Sequence, residues 1–372
     1  MPLFETMLRE KPPIALELGT AYSKLGYAAE AYPRFIIPSE IVTEENETIK
    51  LFNLNDENEL YDNLVEFLKK IFFKYLLVSP RDRKIVIVES VFCPTLIRET
   101  LARVLFRHFE VASIFFVPTH LVVLSTLAIE TALVVDLGYQ ETTVVPVYSG
   151  IQILYAFQAQ DFGGLAIHNS IKEKMLESGV KEEDLSETVI EDIKVRTCFV
   201  TTRERALQYR SGNPPQPCRS VDYPNGGKGT ITIPGELRET ALEVLFPEDN
   251  DNSGLAYLIL DSILKCPLDM RRTLAENIFL IGGTAMIPGI TARLKAELTA
   301  LLESDLYKNK LFIKSIKFHK APAKENFTAW LGGSIYSGTD LVLSRSLTKE
   351  QYCKCPRVPD WSNLDDNCVP AC

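Results

Sequence analysis

The sequence lacks long apolar runs, dense cysteines and an excess of positive charge, and each absence excludes a class of protein. No run of eighteen apolar residues occurs, which argues against a transmembrane helix. Eight cysteines among 372 residues are too sparse for a disulfide scaffold and indicate a reduced, cytosolic compartment. Lysine and arginine total 40 against 49 acidic residues, so the net charge of −9 disfavours nucleic acid or an anionic membrane as a partner.

The composition is that of a globular protein. Apolar residues make up 46% of the chain and charged residues 24%, which excludes disordered, collagenous and coiled-coil classes. A chain of this size buries about three quarters of its unfolded surface, so we expect two domains or one large domain in two lobes. Glu5, Arg9, Glu10 and Lys11 interrupt the N-terminal segment, so we expect no signal peptide there.

Strand-length apolar runs alternate with segments of helical period, which predicts an α/β architecture. Apolar residues from Leu60 to Tyr75 form one stripe of an amphipathic helix that is expected to start near Leu60. The Pro- and Gly-rich segment 211–229 and the acidic segment 44–59 are predicted as surface loops. The predicted strands span residues 14–18, 24–28, 85–89, 113–117, 132–136, 143–148, 151–155 and 277–281.

The most informative feature is an internal repeat of an apolar strand that ends in an acid, an apolar residue and glycine. The first copy ends at Glu17 and Gly19 and the second at Asp136 and Gly138, and each is followed by another apolar strand. Glycine lets backbone N–H groups approach a phosphate, and the acid can hold the water shell of phosphate-bound Mg²⁺. Two such hairpins facing each other would hold a nucleotide's phosphates between two lobes.

A third element is a strand that runs into a double glycine before a helix. Gly282 and Gly283 follow the apolar run 279–281 and precede a helical pattern that starts at Ile290. Backbone exposed at such a helix entry can pack against a nucleoside. Any one of these motifs also arises at ordinary strand ends. Hairpin, hairpin and double-glycine turn in this order are the layout of the two-lobed ATPases, which include sugar kinases, heat-shock ATPases and actins.

From about residue 13 to residue 352 the chain resembles actin-related proteins. The resemblance implies an α/β, actin-like two-lobed ATPase fold of duplicated ribonuclease-H-like halves, with a shortened subdomain 2. The segments that carry it have actin counterparts in the same order and lie at residues 33–39, 191–194, 198–200, 262–266, 269–272, 282–283 and 330–335.

The resemblance also implies a division into lobes. The first lobe is expected at residues 1–130 plus 328–372, with the reduced subdomain 2 at about 39–60. The second lobe is expected at residues 131–327. Its smaller part, subdomain 4, is expected at about 164–250.

ATP or ADP with Mg²⁺ is the cofactor that the resemblance implies. Lys24 corresponds to a phosphate-binding lysine, Lys194 to a nucleotide-contacting lysine, and Asp136 to a metal-side acid that acts through water. Val195 and Asn326 stand where a sugar-binding glutamate and a basic adenine-edge residue are usual, so occupancy stays open. The expected nucleotide-binding residues are Glu17, Gly19, Thr20, Lys24, Asp136, Gly138, Lys194, Gly282, Gly283, Thr284 and Met286.

Several positions depart from the family pattern, mostly at groups that would place the attacking water. Glu17 replaces an aspartate in the first hairpin, and Tyr139 replaces the second acid of the second hairpin. Thr143 stands where a histidine is expected, and the water-orienting glutamine falls at Thr119 or His120. Because phosphoryl transfer depends on positioning and charge stabilisation, we expect slow or absent hydrolysis and assign no catalytic residue.

A shortened segment and four local matches suggest the function. Residues 40–59 are roughly half of what actin uses for its second subdomain and inserting loop, although neutral loop shortening is an alternative reading. Residues 80–83, 89–94, 221–224 and 358–361 resemble the actin-related proteins at the pointed end of dynactin, the dynein cofactor. This likeness implies a structural subunit that caps the pointed end of dynactin's actin-like filament and supports dynein-driven cargo transport along microtubules.

The implied partners are dynactin's actin-related filament protein, the other pointed-end subunits and, indirectly, dynein and cargo adaptors. The implied location is the cytoplasm and cytoskeleton, microtubule-associated and centrosomal. Two alternatives stay open: an active ATPase or small-molecule kinase of the same superfamily, and an actin-related subunit of a chromatin remodeller. The longest basic runs are pairs, such as Lys69-Lys70 and Arg271-Arg272, which does not favour a nuclear localisation patch.

Overall fold

A computed structural model divides the chain into two units, and the first contains both ends of the chain. Unit 1 consists of Met1–Ala128 and Phe327–Cys372, and unit 2 of Ile129–Asn326. Each unit has its own apolar core and its own six-stranded sheet. None of the helices in the described residues is both long enough and apolar enough to cross a bilayer. The structure describes residues 11–42, 47–52, 56–227, 229–247 and 253–359.

The strands of the described chain coincide with its runs of β-branched and other apolar residues. In chain order they are β1 (Ile14–Leu18), β2 (Tyr22–Tyr27), β3 (Phe35–Pro38), β4 (Glu40–Val42), β5 (Thr48–Lys50), β6 (Lys84–Glu89), β7 (Ser113–Pro118), β8 (Ala132–Leu137), β9 (Thr142–Tyr148), β10 (Ile151–Gln152), β11 (Gln158–Gln160), β12 (Val221–Pro224), β13 (Thr230–Ile233), β14 (Ile278–Ile281), β15 (Phe318–His319) and β16 (Leu347–Thr348).

The α-helices occupy the segments between the strands, and the first two continue into π-helical turns, Lys70–Tyr75 and Val104–His108. They are α1 (Glu57–Lys69), α2 (Thr95–Arg103), α3 (Thr119–Ser125), α4 (Gly164–Glu177), α5 (Glu187–Thr197), α6 (Arg203–Arg210), α7 (Gly235–Thr240), α8 (Leu255–Lys265), α9 (Leu268–Ala275), α10 (Ile290–Glu303), α11 (Thr328–Ser337), α12 (Leu341–Arg345) and α13 (Lys349–Lys354).

The predicted α/β class is confirmed, and most predicted strands form with ends shifted by at most two residues. The strand predicted at 151–155 is an exception, since it stops at Gln152 and a 3-10 turn, Leu154–Ala156, follows. The predicted loop at 211–229 contains β12, which pairs with β13 across a turn where Gly226 and Gly227 have positive φ. The proline and glycine content of segment 211–229 predicts a loop, but glycines in a short turn are also typical of a β-hairpin.

The predicted loop at 44–59 is also partly wrong, because it contains β5 and the first turn of α1. Helix α1 begins at Glu57 rather than near Leu60, since the Asp56 side chain accepts a hydrogen bond from the Asn58 backbone N–H at 3.2 Å. This N-cap, which the apolar stripe alone could not reveal, satisfies a donor at the helix start.

Unit 1 is built on a sheet in the order β16-β7-β6-β1-β2-β3. Strand β1 pairs antiparallel with β2 and parallel with β6. The apolar stripe of α1 is buried in the core, as predicted. Helix α11 brings the C-terminal part of unit 1 onto β1, where the indole of Trp330 donates to the Ala15 carbonyl at 2.9 Å.

Unit 2 repeats the same pairing scheme. Its sheet has the order β10-β9-β8-β14-β15, with β11 also paired to β9. Strand β8 pairs antiparallel with β9 and parallel with β14, as β1 does with β2 and β6. Thus the two acid-x-Gly turns of the sequence end corresponding central strands in the two units.

Candidate functional site

The residues predicted to bind nucleotide fall into two sets, one in each unit. In unit 1, Glu17 and Lys24 are directly opposed on β1 and β2. Their side chains, both largely buried, form an ion pair between Glu17 Oε1 and Lys24 Nζ. The other oxygen, Glu17 Oε2, is buried and has no hydrogen-bond partner among the described residues. The first hairpin therefore carries a lysine that is already neutralised and a carboxylate oxygen that can still accept.

The turn of the first hairpin is held by backbone contacts. A Cβ on Gly19 would lie 2.7 Å from the Tyr22 carbonyl oxygen, so the turn is too tight for another residue. The Gly19 carbonyl accepts a hydrogen bond from the Ser39 hydroxyl at 2.6 Å. Thr20 is exposed beside this turn. Glycine is thus required here for the turn itself, whatever it contributes to binding.

In unit 2, Asp136 and the double glycine meet at the ends of neighbouring parallel strands. Asp136 on β8 is opposite Ile281, the last residue of β14, so Gly282 starts beside the acid. Gly282 has φ of +93°, and a Cβ there would lie 2.6 Å from Asp136 Oδ1 and 2.4 Å from the Leu137 carbonyl oxygen. Only glycine combines this backbone conformation with this close approach.

The second hairpin is fixed from two further directions. The Gly138 carbonyl accepts hydrogen bonds from the Thr284 hydroxyl at 2.9 Å and from the Gly164 backbone N–H at 3.0 Å. A Cβ on Gly163 would lie 2.7 Å from that same carbonyl oxygen. The turn after β8 is therefore packed onto both the double-glycine turn and the start of α4.

Lys194 is buried in a polar cluster beside this hairpin. Its ammonium donates to Glu191 Oε2 at 2.6 Å and lies 2.9 Å from His168 Nε2, while that imidazole nitrogen is 2.7 Å from the same carboxylate oxygen. The Tyr139 hydroxyl donates to Glu187 at 2.7 Å, and its ring packs edge-on against His168. We call these five residues the Lys194 cluster; it joins the second hairpin to α4 and α5.

Electrostatics favour an ionised Glu191 in this cluster. Burial raises the pKa of Glu191, but the hydrogen bond from His168 and the charge and hydrogen bond of Lys194 outweigh it and lower that pKa to about 2. The carboxylate is therefore ionised near neutral pH and balances the ammonium. Lys194 is consequently held by protein groups rather than free in the site.

The structure thus brings most of the unit 2 residues together but not all of them. Asp136, Gly138, Gly282 and Thr284 are in direct contact, and Lys194 reaches them through Tyr139 and α4. Gly283 and Met286 stand apart from these contacts. Around Gly283, no heavy atom of the described chain comes within 4 Å of an added Cβ, and the Met286 side chain is 41% exposed.

Three contributors to unit 2 were not predicted as site residues. Gly163 and Gly164 are a second double glycine before a helix, and this sequence signal could have identified them. The third residue is His168 on α4, which no sequence motif singles out. Only the fold shows that it is buried between Tyr139 and Glu191, since α4 and α5 are separate in the sequence.

The residues at the water-placing positions are all buried. Thr119 donates its hydroxyl to the Glu89 carbonyl at 3.0 Å, so that hydroxyl is already engaged. His120 is fully buried, and burial lowers its pKa to about 3, which keeps the imidazole neutral. Thr143 on β9 is 2% exposed. All three side chains are thus buried within the described chain, and the Thr119 hydroxyl is already hydrogen-bonded.

Two units with the same sheet pairing, each with glycine turns at the ends of its central strands, define the class of the two-lobed ATPase fold. The chain belongs to the actin family, since the family described as Actin matches residues 8–354. It is similar to Actin-related protein 10 of Dictyostelium discoideum, with 30% identity over an alignment that covers 95% of this chain and 90% of that relative.

The actin fold implies ATP or ADP with Mg²⁺, and the residues present fit such a ligand in kind. Glu17 Oε2 is a buried acceptor that a metal-bound water would satisfy, and Gly283 leaves its backbone accessible. Acidic and main-chain oxygens also suit a hard cation. Lys24 and Lys194, however, are each paired with a carboxylate, so a phosphate must compete with Glu17 or Glu191 for them.

Proposed function

We propose that this protein is a structural actin-related subunit that caps the pointed end of the dynactin actin-like filament. It would link that filament to the pointed-end complex and support dynein-driven cargo transport along microtubules. The observation that carries the proposal is the short β4–β5 hairpin of unit 1. Its two strands have three residues each, and α1 begins at Glu57 soon after them. Such a hairpin cannot supply the long loop that, in actin, inserts into the next subunit.

The proposal assigns the parts of the actin fold to this chain. The first lobe takes residues 1–130 plus 328–372, with the reduced subdomain 2 at about 39–60. The second lobe takes residues 131–327, with subdomain 4 at about 164–250. The partners we propose are dynactin's actin-related filament protein and the other pointed-end subunits, and indirectly dynein and cargo adaptors. The location we propose is the cytoplasm and cytoskeleton, where the protein associates with microtubules and centrosomes.

We further propose that ATP or ADP with Mg²⁺, where bound, is a structural ligand that is hydrolysed slowly or not at all. Asp136 would hold the metal through water, and Lys24 and Lys194 would contact the nucleotide. Two features support slow turnover: the buried side chains at Thr119, His120 and Thr143, and the carboxylate pairing of both lysines. At these positions the side chains are buried, and the Thr119 hydroxyl already donates to the Glu89 carbonyl.

A filament assay tests the capping role. Labelled filaments of the actin-related filament protein would be grown from seeds and imaged singly, with this protein added at increasing concentration. We expect growth to stop at one end only, with one bound copy per filament counted by stepwise photobleaching. Incorporation of this protein along the filament would contradict capping. Rapid ATP cleavage in a single-turnover experiment would instead support the enzyme alternative.

A further inference from the structure

A groove outside the nucleotide-site residues lies in unit 1 between β4 and α1. We call it the β4–α1 groove, and it encloses about 520 Å³. Its walls come from β4 on one side and from α1 with its π-helical continuation on the other. The lining residues are Ile41, Val42, Glu66, Lys69, Lys70, Phe73 and Lys74.

The helical wall of this groove is the outward face of an amphipathic helix. Leu64, Phe67 and Leu68 on the opposite face are buried in the core of unit 1. Phe73 nevertheless presents an aromatic ring to solvent, with 57% of the residue exposed, and Val42 across the groove is 59% exposed. Val42 and Phe73 thus place exposed apolar surface on both walls of one groove, where one apolar side chain of a partner would contact both.

The charge of the groove limits what that partner can be. Lys69, Lys70 and Lys74 line it with a single acid, Glu66, which forms an exposed ion pair with Lys69 at 2.6 Å. The groove therefore carries about two net positive charges in a chain whose net charge is −9. A local positive charge favours an acidic ligand at close range.

We propose that the β4–α1 groove binds an acidic segment of a partner protein that carries at least one large apolar side chain. The apolar side chain packs between Phe73 and Val42, and carboxylates on either side meet Lys70 and Lys74. Burial of an aromatic or aliphatic anchor supplies most of the affinity in such contacts, while the charges set specificity and association rate. The proposal does not depend on the filament-end role.

The test uses a fluorescein-labelled twelve-residue peptide in which tryptophan and leucine are flanked by aspartate and glutamate. We expect it to bind the full-length protein, and we expect the same peptide with asparagine and glutamine in place of its acids to bind at least about tenfold more weakly. The affinity for the acidic peptide should fall about tenfold or more in the double variant Lys70→Glu with Lys74→Glu, and also in the separate variant Phe73→Ser. Binding should also weaken as salt rises, because these charges are exposed.

The matched control reverses two exposed lysines of unit 2, Lys308→Glu with Lys310→Glu, which should leave peptide affinity unchanged. All variants replace partly or fully exposed residues, and equal melting temperatures would show that they fold. Equal peptide affinity in the groove and control variants would overturn the proposal.

Two other occupants would also overturn it. The chain's own residues 360–372 are acidic and include Trp361. If truncation after Pro359 strengthens peptide binding, that segment fills the groove. If phosphatidylserine vesicles bind through Lys70 and Lys74 while the acidic peptide does not, the groove is a membrane site.

Discussion

The two hairpins look alike in sequence but are stabilised differently. In unit 1, Glu17 pairs with Lys24 on the adjacent strand, so acid and lysine belong to one hairpin. In unit 2, Asp136 lies against Gly282, and the lysine comes from α5. The first is a local pair between the two adjacent strands of one hairpin. The second is a junction of three segments. Turns that are equivalent in sequence can therefore be stabilised by different sets of contacts.

The largest expected effect comes from breaking the close approach in unit 2. Gly282→Ala would place a methyl group 2.4 Å from a carbonyl oxygen at a residue with φ of +93°. We expect a loss of about 3 kcal/mol or more in the free energy of unfolding, from steric clash and backbone strain together. Chemical denaturation would measure it.

The neighbouring glycine is the control for that substitution. Gly283 has φ of −64°, and no heavy atom of the described chain lies near its added Cβ. Gly283→Ala should therefore cost less than about 1 kcal/mol. Equal losses in the two variants would show that the junction is not packed as described.

The next effect concerns the ligand itself. Asp136→Ala removes the carboxylate that we assign to the metal side, so the stabilisation by nucleotide should be lost. For a ligand at 100 times its dissociation constant, that stabilisation is about 2.7 kcal/mol. Melting curves with and without MgADP would measure it, with Asp192→Ala on α5 as a control outside the proposed site. Equal MgADP-induced shifts in wild type and Asp136→Ala would count against the site.

A smaller effect is expected in the Lys194 cluster. Glu191→Gln leaves the buried Lys194 without its counter-charge, and we expect about 2 kcal/mol of destabilisation at neutral pH. The pKa of Glu191 lies below its ordinary value of 4.5, so its stabilising contribution is full above that value and is lost as pH falls toward 2. The variant should therefore lose less stability than the wild type on acidification from pH 5 to pH 3.

The surface pair on the neighbouring helix is the control for that pH dependence. Glu182 pairs with Lys172 at 2.6 Å, but its side chain is largely exposed. Glu182→Gln should leave stability nearly unchanged, because solvent screens an exposed pair. If stability falls equally steeply between pH 5 and pH 3 in wild type and in Glu191→Gln, Glu191 does not stabilise the fold through its charge.

The smallest expected effect tests the local pair of unit 1. Glu17→Gln removes the charge that neutralises Lys24 while keeping a side chain of similar size. In EDTA, where metal binding by the acid plays no part, ADP affinity should rise several-fold, or about 1 kcal/mol. Equilibrium dialysis would measure it, with Glu30→Gln, which removes the partly exposed partner of Arg34 after β2, as control. Unchanged or weaker ADP binding would show that the pair does not compete with phosphate.

The sequence was sufficient for features set by local patterns. The strands before Gly19 and Gly138, the buried stripe of α1 and the glycine turns follow from periodicity and from the conformational freedom of glycine. The tertiary contacts of these features could not be predicted from the sequence. His168 and Glu191 meet Lys194 only because α4 and α5 pack together, and neither helix predicts that contact by itself.

The same limit applies to the pairing of Lys24 with Glu17. Both residues were predicted as site residues. Their ion pair, however, depends on the strand register, because a slip of one residue would place the two side chains on opposite faces of the sheet. Strand β5 likewise lies within the segment 44–59 that was predicted as loop, because a strand of three residues gives too few alternating positions to be detected.

Electron cryomicroscopy of the native assembly purified through a tag on this protein tests the central claim most directly. The account predicts one copy per assembly, at the pointed end of an actin-like filament, with no further actin-type subunit stacked beyond it. Copies at internal filament positions, or a tagged protein recovered in a chromatin remodeller without any filament, would contradict it.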